Sequence, residues 1–350
     1  YKAGKPIEEV QRELGLKKII KLASNENPIG PSPMALESIN DILTQSHRYP
    51  DSSGYLLRAK LADLFNLKIS NTIIGSGSEG IMSNIMRTFL KSDDEIVAAE
   101  NSFIGFKVLA NASGAPINWI PMKNYKYDLD GMGNAINEYT KIIYLANPDN
   151  PTGSYFTIQD FDNFMKYVPS RVLVILDEAY FEYAQHLNDY PDSMHYRYDN
   201  VITLRTMSKI YGLAGLRIGY GFAHDDLISN LQKVKLPFEP SVIAQHAAVS
   251  ALSDTSFVRQ SINANNEAKK YLKKILKERG IIFYNSATNF LMIKLDSKAE
   301  SFCDFMLSKG IILRHLSGFG LNDCVRITIG TLQEIEFFKQ ALDNFFNEVN

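Results

Sequence analysis

The sequence predicts an α/β protein with a large, doubly wound, mostly parallel sheet and a smaller α+β domain. Short apolar runs alternate with helical patterns through the middle of the chain, and polar residues follow each run. Strands and helices mix again after residue 280. Because the chain has 350 residues and is 45% hydrophobic, it can bury one large core, or one large and one small core.

Composition excludes several classes of protein. Lys and Arg number 37 against 39 Asp and Glu, so no basic field exists to hold a nucleic acid. No apolar run reaches the roughly 18 residues of a membrane-spanning helix, and the start of the chain lacks a signal-peptide core. Cys303 and Cys324 belong to no C-x-x-C pair, which argues for a reducing compartment and against a metal site. We therefore expect a cytoplasmic protein without nucleic-acid or membrane partners.

The N-terminal quarter is predicted to consist of helices joined by polar turns. The turns are rich in Asn and Pro, and Pro33 is well placed to begin a helix because its missing N–H is not needed there. The expected elements are a helix over residues 7–16, extended chain over 19–22, and helices over 33–43 and 56–65.

A glycine-rich turn follows the short apolar run at residues 72–74. The segment Gly75-Ser-Gly-Ser-Glu-Gly80 leads into a helix that is expected to end near Leu90. Glycines let the backbone approach a ligand, and free N–H groups at a helix start attract phosphate. No Gly-Lys-Ser/Thr follows, which excludes a P-loop. The alternative is a plain helix start, capped by Ser76 or Ser78.

The predicted central strands end in polar residues. Ligands of open parallel sheets bind beyond the carboxyl ends of the strands, so these residues are candidates for a site. Asn150, Asp177, Tyr180 and Lys209 follow three of the strands, and we expect them in one crevice. The predicted strands span residues 95–99, 141–146, 172–176 and 201–204, with helices between them that include 103–112 and 158–168.

The chain becomes helical after residue 225. One long helical pattern, from about residue 241 to 279, is expected to link two domains. A small α+β domain is predicted to follow, with strands at 281–284, 290–295, 311–316 and 325–329 and helices at 299–308 and 332–349.

Lys209 stands in a setting that lysines seldom occupy. It follows the apolar run 201–204 and is surrounded by Thr206, Ser208 and several glycines. A lysine just beyond a buried strand can have its pKa lowered by burial and become a nucleophilic amine, which is the chemistry of Schiff-base enzymes. The alternative is an ordinary surface lysine beside a glycine-rich turn.

These residue types together match the requirements of pyridoxal phosphate. Lys209 would hold the aldehyde of the cofactor, and Asp177 would pair with the ring nitrogen and keep it protonated. Asn150 and Tyr180 would hydrogen-bond the ring hydroxyl. The phosphate would be bound near the glycine-rich turn, by backbone N–H groups near Ser78 and Glu79, hydroxyls of Thr206 and Ser208, and the guanidinium of Arg217.

The motifs resemble those of fold-type I pyridoxal-phosphate-dependent aminotransferases in order and spacing. The resemblance rests on Asn147-Pro-Asp-Asn-Pro-Thr-Gly, Asp177-Glu-Ala-Tyr and Ser208-Lys-Ile-Tyr-Gly-Leu-Ala-Gly-Leu-Arg217. More narrowly, Asn25-Glu-Asn-Pro-Ile-Gly-Pro-Ser-Pro, Arg48-Tyr-Pro-Asp and Arg326-Ile-Thr-Ile-Gly330 are similar to the histidinol-phosphate aminotransferase family. The resemblance implies a large cofactor-binding domain over residues 46–255 and a small domain over 1–45 and 256–350.

The resemblance also implies further roles. Phe103 would stack on the cofactor ring, and Tyr49 would reach across a homodimer interface to the phosphate of the partner subunit's cofactor. Four residues match positions that shape the substrate pocket: Tyr1, Asn25, Arg314 and Arg326.

The expected reaction is transamination between histidinol phosphate and 2-oxoglutarate, in histidine biosynthesis. The rivals are an aromatic amino acid aminotransferase, a decarboxylase on the same scaffold, and a regulatory or scaffold protein without catalysis. Individual residues also have structural alternatives: Asp177 as a helix cap, Tyr180 as core packing, and Arg314 and Arg326 as charges on an edge strand.

Overall fold

The computed structural model describes residues 5–16, 18–193 and 198–349. Its strands are β1 (Ile20–Lys21), β2 (Thr72–Gly75), β3 (Glu95–Ala99), β4 (Ile117–Ile120), β5 (Thr140–Ala146), β6 (Leu173–Asp177), β7 (Val201–Thr206), β8 (Gly219–Phe222), β9 (Ile282–Phe283), β10 (Phe290–Lys294), β11 (Ile311–Ile312), β12 (Arg314–His315) and β13 (Cys324–Thr328). Its α-helices are α1 (Ile7–Leu14), α2 (Pro33–Ile42), α3 (Tyr55–Leu64), α4 (Gly77–Phe89), α5 (Ile104–Ser113), α6 (Leu129–Asn134), α7 (Ile158–Met165), α8 (Phe181–Ala184), α9 (Asp225–Val234), α10 (Val242–Ala251), α11 (Thr255–Glu278), α12 (Ala299–Ser308) and α13 (Leu332–Val349).

A seven-stranded sheet forms the centre of the molecule, in the order β2-β8-β7-β6-β5-β3-β4. The strands from β7 to β4 run parallel to their neighbours, whereas β8 is antiparallel to both β7 and β2. Alternate residues of β5 pack on opposite faces. Ile142 and Tyr144 join a cluster with α4 and α5, while Ile143 and Leu145 join a cluster with α6 and α7. Helices therefore cover both faces, and the predicted doubly wound, mostly parallel fold is confirmed.

A second, antiparallel sheet has the strand order β12-β13-β10-β9. Its core contains buried residues of α11, α12 and α13 together with alternate residues of β10 and β13. Strand β1 pairs in parallel with β11, so the N-terminal segment is attached to this part of the molecule. The division between domains at residues 45/46 and 255/256 stays a prediction.

The single helical pattern predicted from residue 241 to 279 is wrong in one respect. Helix α10 ends at Ala251 and α11 begins at Thr255. Asp254 caps α11, because its side chain accepts a hydrogen bond from the Phe257 N–H at 3.1 Å, and its other oxygen accepts from Ser32 Oγ at 2.7 Å. An aspartate that satisfies N–H groups at a helix start interrupts the pattern without changing its hydrophobic periodicity.

The predicted strand at residues 311–316 is divided in two. Its first half, β11, pairs with β1, and its second half, β12, pairs with β13.

Two strands of the large sheet, β4 and β8, were absent from the prediction. In β8 the apolar pattern is interrupted by Gly219 and Gly221. A Cβ at Gly219 would lie 2.5 Å from the backbone nitrogen of Ser78, so the close approach of α4 requires glycine here.

Within the described ranges, no helix is long and apolar enough to cross a membrane. Cys303 and Cys324 are both free thiols.

Candidate active site

A cavity of about 280 Å³ opens where the parallel strands of the large sheet end. Ala146, Asp177 and Thr206, the last residues of β5, β6 and β7, all line it. Its other wall comes from the N-terminal segment and the second sheet. The cavity therefore lies at the position where open α/β sheets bind ligands.

Most of the predicted site residues meet in this cavity. Those that line it are Asn25, Ser78, Glu79, Phe103, Asn150, Asp177, Tyr180, Thr206, Ser208, Lys209, Arg217, Arg314 and Arg326. Tyr49 does not line it, since its side chain is 78% exposed and stacks on Phe238, with the ring centroids 4.2 Å apart. Tyr1 lies outside the described residues.

Lys209 lies in the loop that follows β7. Its Nζ donates a long hydrogen bond of 3.4 Å to the Ser24 carbonyl and lies 5.7 Å from the centre of the Tyr180 ring. Burial and, after it, the charge of Arg326 lower the pKa of Lys209 to about 8. Near neutral pH, a useful fraction of this amine is therefore unprotonated and able to act as a nucleophile.

Asp177 is the last residue of β6 and is only 4% exposed. Its Oδ2 accepts a hydrogen bond from the Tyr144 hydroxyl at 2.9 Å, whereas Oδ1 has no hydrogen-bond partner among the described residues. Burial raises the pKa of Asp177 to about 7, although the bond from Tyr144 acts in the opposite direction. The residue that precedes helix α8 is Tyr180, so Asp177 does not occupy the capping position of that helix. Asp177 is therefore a buried carboxyl group with an open oxygen beside a cavity.

Tyr180 is both part of the core and part of the cavity wall. Its ring packs edge-on against Phe290 at a centroid distance of 5.3 Å. Its hydroxyl accepts a hydrogen bond from Asn25 Nδ2 at 2.8 Å. Burial raises the pKa of Tyr180 to about 12, so the hydroxyl keeps its proton at neutral pH.

The two arginines of the second sheet face each other across neighbouring strands. Arg314 in β12 and Arg326 in β13 are register partners. Arg326 is 5% exposed, donates to Asn150 Oδ1, and donates to the Ala23 carbonyl at 2.7 Å. Like charges directly opposite each other are destabilising unless an anion lies between or beside them. Since β13 is an inner strand, the edge-strand interpretation is wrong for Arg326, while Arg314 does lie on the edge strand β12.

The opposite end of the cavity has the features of an anion site. Helix α4 begins after Ser76, whose side chain makes no capping hydrogen bond, so the alternative of a serine-capped start is not what the structure contains. Arg217 Nη1 donates to Ser208 Oγ at 3.3 Å, and Nη2 donates to Glu79 Oε2 at 3.1 Å. Thr206 Oγ1 donates to the same Ser208 hydroxyl at 3.0 Å. N–H groups, hydroxyls and a guanidinium thus converge at one end.

The loop that carries Asn150 is held by a buried aspartate that the sequence did not single out. Asp149 accepts hydrogen bonds from Ser102 Oγ at 2.7 Å and from Thr152 Oγ1 at 2.8 Å. Burial raises the pKa of Asp149 to about 6, and these bonds act in the opposite direction. Asp149 therefore fixes the turn that places Asn150 in the cavity wall.

Tyr144 and Thr328 hydrogen-bond to the site residues Asp177 and Asn25, and sequence reasoning missed both contacts. Tyr144 is a lone phenol within the aliphatic run of β5, and this was the one signal that could have drawn attention to it. Thr328 Oγ1 accepts from the Asn25 N–H and donates to Asn25 Oδ1, both at 3.0 Å. Because the two residues are 303 positions apart, no local pattern connects them.

Comparison with known proteins agrees with this geometry. The family model described as aminotransferase class I and II matches residues 17–342. The chain belongs to this family. The expectation of a pyridoxal-phosphate-dependent aminotransferase is thereby confirmed, and the non-catalytic scaffold alternative is wrong.

Two similar aminotransferases come from bacteria. The histidinol-phosphate aminotransferase of Halalkalibacterium halodurans is 42% identical over 350 residues, which cover 99% of this chain and 95% of that protein. The enzyme of the same name from Moorella thermoacetica is 42% identical over 347 residues, covering 98% and 89%. The similarity therefore extends through both the large and the second sheet.

A solved aminotransferase structure has the same fold. The histidinol-phosphate aminotransferase of Sinorhizobium meliloti, in complex with pyridoxal-5'-phosphate, superposes with a TM-score of 0.93 at 28% identity. The match covers 99% of this aminotransferase and 95% of that chain. The fold-type I expectation is confirmed by this neighbour.

Proposed function

We propose that this aminotransferase uses pyridoxal 5'-phosphate to transfer an amino group between histidinol phosphate and 2-oxoglutarate, in histidine biosynthesis. Imidazole-acetol phosphate and glutamate are the substrates in the opposite direction. The observation that carries the proposal is the presence, in one cavity, of Lys209 with a lowered pKa and Asp177 with an open buried oxygen. The 42% identity to histidinol-phosphate aminotransferases supports the substrate.

The residues of the cavity fit this cofactor. Asp177, whose Oδ1 lacks a donor, would pair with a protonated ring nitrogen, since pairing with a cation is what a buried carboxylate requires. Asn150 and Tyr180 are within the same wall and fit the ring hydroxyl. Phe103, just before α5, fits stacking on the ring. The phosphate fits the opposite end of the cavity, which is formed by Ser78, Glu79, Thr206, Ser208 and Arg217.

When bound, pyridoxal phosphate supplies an aldehyde carbon and a ring that withdraws electrons. Lys209 is the residue that would hold the cofactor, through Nζ. Nζ of Lys209 would also be the atom that accepts the proton from the substrate α carbon and gives it back. With a pKa of about 8, Nζ is near balance between its two protonation states and suits both directions of the transfer.

Arg314 and Arg326 bind the anionic end of the substrate. Both line the cavity, Arg314 from β12 and Arg326 from β13. A guanidinium presents paired donors that match phosphate and carboxylate alike. This explains how one pocket accepts the phosphate of histidinol phosphate and the carboxylates of glutamate in alternate halves of the cycle. The resemblance adds Tyr1 and Asn25 to the proposed substrate-binding residues, and Asn25 lines the cavity.

The proposal includes a homodimer in which Tyr49 binds the phosphate held by the partner subunit. Tyr49, Tyr55 and Leu56 expose 78%, 58% and 61% of their surface, and the partner of Tyr49 in stacking, Phe238, is 47% exposed. Exposed aromatic and aliphatic side chains grouped in this way are typical of a subunit interface.

The proposal also includes the domain division and the cellular location. Residues 46–255 contain the large sheet, whereas residues 1–45 and 256–350 contain β1, β11 and the antiparallel sheet. Free cysteines support the reducing environment of the cytoplasm.

A substrate panel tests the proposal. The purified protein is supplied with pyridoxal phosphate, and the absorbance of the cofactor is followed after adding histidinol phosphate, glutamate or phenylalanine. We expect rapid change with the first two and a much lower kcat/KM with phenylalanine. A preference for phenylalanine would favour the aromatic aminotransferase, and release of carbon dioxide would favour the decarboxylase. No spectral change with any donor would refute transamination.

Mixed dimers test the position of Tyr49. In a dimer of one Lys209→Ala and one Tyr49→Phe subunit, the site that retains Lys209 receives a normal Tyr49 from the other subunit. We expect mixing to restore turnover at limiting cofactor, in proportion to the heterodimer formed. If Tyr49 acts within its own subunit, mixing restores nothing.

A further inference from the structure

The Asn25 amide is buried between two hydroxyl groups. Asn25 is 1% exposed and Thr328 is 3% exposed. Asn25 Oδ1 accepts from Thr328 Oγ1 at 3.0 Å, and Asn25 Nδ2 donates to the Tyr180 hydroxyl at 2.8 Å. The chain of bonds therefore runs from Thr328 through Asn25 to Tyr180, which borders the cavity beside Lys209.

The direction of these bonds is fixed at Thr328. Its hydroxyl oxygen already accepts from the Asn25 backbone N–H at 3.0 Å, so the hydroxyl proton needs an acceptor. Among the described residues, the side-chain acceptor bonded to it is Asn25 Oδ1. Turning the amide over would place an NH₂ group against this hydroxyl and leave a buried proton without that acceptor. Such a loss costs roughly 1–3 kcal/mol, enough to hold the amide in one orientation.

The orientation of the amide decides what Tyr180 can do. Because Nδ2 donates to the Tyr180 oxygen, the Tyr180 proton is directed away from Asn25. Tyr180 keeps this proton at neutral pH, since burial raises its pKa to about 12. An amide turned the other way would accept the phenol proton and remove it from the cavity. With the Asn25 amide in the observed orientation, Tyr180 is therefore a hydrogen-bond donor towards the cavity.

A second amide in the same wall is oriented by the same principle. Asn150 Oδ1 accepts from Arg326 Nη1, and arginine has no acceptor atoms. The donor side of the Asn150 amide is therefore the side left for a ligand oxygen. Two donors, from Tyr180 and Asn150, suit an anionic oxygen between them.

We infer that Thr328 is a positioning residue that fixes the Asn25 amide and thereby makes Tyr180 a hydrogen-bond donor to the cofactor's ring oxygen. The inference rests on the proposed function. Thr328 does not line the cavity and acts only through Asn25 and Tyr180. Removing its hydroxyl releases the amide, lets Tyr180 donate to Asn25 instead, and weakens the stabilisation of the anionic ring oxygen.

The test compares Thr328→Val, which removes the hydroxyl at nearly constant volume, with Thr328→Ser, which keeps it. Two quantities are measured: the pH midpoint of the visible absorbance band of the bound cofactor, and the dissociation constant of the cofactor from titration of the cofactor-free protein. Loss of a donor to an anionic oxygen makes the neighbouring proton harder to remove. We expect Thr328→Val to raise the midpoint by about one pH unit and to weaken cofactor binding several-fold. Thr328→Ser restores both values.

Tyr180→Phe identifies the route. If Thr328 acts through Tyr180, the double variant Thr328→Val, Tyr180→Phe has the same midpoint as Tyr180→Phe alone. Thermal unfolding of the cofactor-free variants establishes that they fold, and Thr328→Ala replaces the valine variant if that variant is insoluble.

The outcomes separate this inference from the proposed function. If the unsubstituted protein develops no cofactor band, the proposed function fails. If it develops the band but Thr328→Val leaves the midpoint unchanged, only the role of Thr328 is overturned. Equal shifts in Thr328→Val and Thr328→Ser, or additive shifts in the double variant, also overturn it.

Discussion

Two acidic residues that are adjacent in the sequence have opposite surroundings. Glu178 is 1% exposed and has partners on both oxygens: Oε1 accepts from the Ser193 N–H at 3.3 Å, and Oε2 lies 2.7 Å from Arg205 Nη2. Asp177 is equally buried, yet its Oδ1 lacks a hydrogen-bond partner among the described residues. One carboxyl group is satisfied within the chain, and the other is left for a ligand.

Two adjacent residues at the end of the neighbouring strand β7, Arg205 and Thr206, also have different surroundings. Arg205 points into the ion pair with Glu178, and its guanidinium lies 3.3 Å above the Phe181 ring. Its neighbour Thr206 lines the cavity. Because side chains alternate along a strand, adjacent residues at a strand end divide between holding the sheet and binding the ligand. A buried carboxylate with partners on both oxygens thus indicates a structural role, and one with an open oxygen beside a cavity indicates a binding site.

The largest expected effect on stability is at Glu178. Glu178→Gln removes the charge that faces Arg205 and leaves a buried guanidinium with weakened compensation. Breaking a buried ion pair from one side costs about 3–5 kcal/mol, which urea unfolding of the cofactor-free protein measures. Turnover per folded molecule stays within about threefold of normal, since Glu178 does not line the cavity. Unchanged stability would mean that the pair does not hold the two strand ends.

The matched substitution Asp177→Asn has the opposite profile. In the folded protein the pKa of Asp177 is about 7, above its unfolded value of about 3.9. Its contribution to folding is therefore complete below about pH 4 and is lost as pH rises through about 7. We expect the cofactor-free variant to be more stable than the unsubstituted protein above pH 7, by about 4 kcal/mol, and equal to it near pH 4.

Cofactor binding by Asp177→Asn provides the other half of this comparison. An amide cannot pair with a protonated ring nitrogen as a carboxylate does, so affinity and turnover fall on the order of 100-fold. If the variant is destabilised at every pH but binds the cofactor normally, Asp177 is a structural residue like Glu178.

The smallest expected effect is at Tyr144. Tyr144→Phe removes the hydrogen bond to Asp177 Oδ2. The pKa of Asp177 then rises further, because this bond no longer counteracts the effect of burial. Cofactor affinity falls about tenfold, the size of one hydrogen bond to a charged group. Tyr155→Phe is the control, since Tyr155 donates to exposed Asp189 at 2.8 Å and neither residue lines the cavity. Equal effects in both variants would contradict the role of Tyr144.

Sequence reasoning found the parts of the site that local patterns encode. Asn150, Asp177 and Lys209 stand directly after apolar runs, and the geometry of parallel strands brings such residues together. It assigned the ring-nitrogen role to Asp177, but it did not reveal that Glu178 pairs with Arg205, because which of two adjacent carboxyl groups meets an arginine depends on strand register. The sequence likewise contained no link between Asn25 and Thr328, whose contact exists only after the N-terminal segment joins the second sheet.

The fold was predictable to a similar degree. Strands with continuous apolar runs, such as β5 and β6, were placed within one residue at their ends. Strand β8 was missed because Gly219 is required by the approach of Ser78, and this packing constraint leaves no apolar pattern.

The most direct test is to find which lysine holds the cofactor. The protein loaded with pyridoxal phosphate is reduced with borohydride, which makes the attachment permanent, and the modified residue is located by peptide mass spectrometry. Lys269 is an internal rival, because burial lowers its pKa to about 7, although its Nζ is bonded to carbonyls at Ser286 and Thr288. We predict modification at Lys209 alone. Modification at Lys269, or at no lysine, would contradict the account.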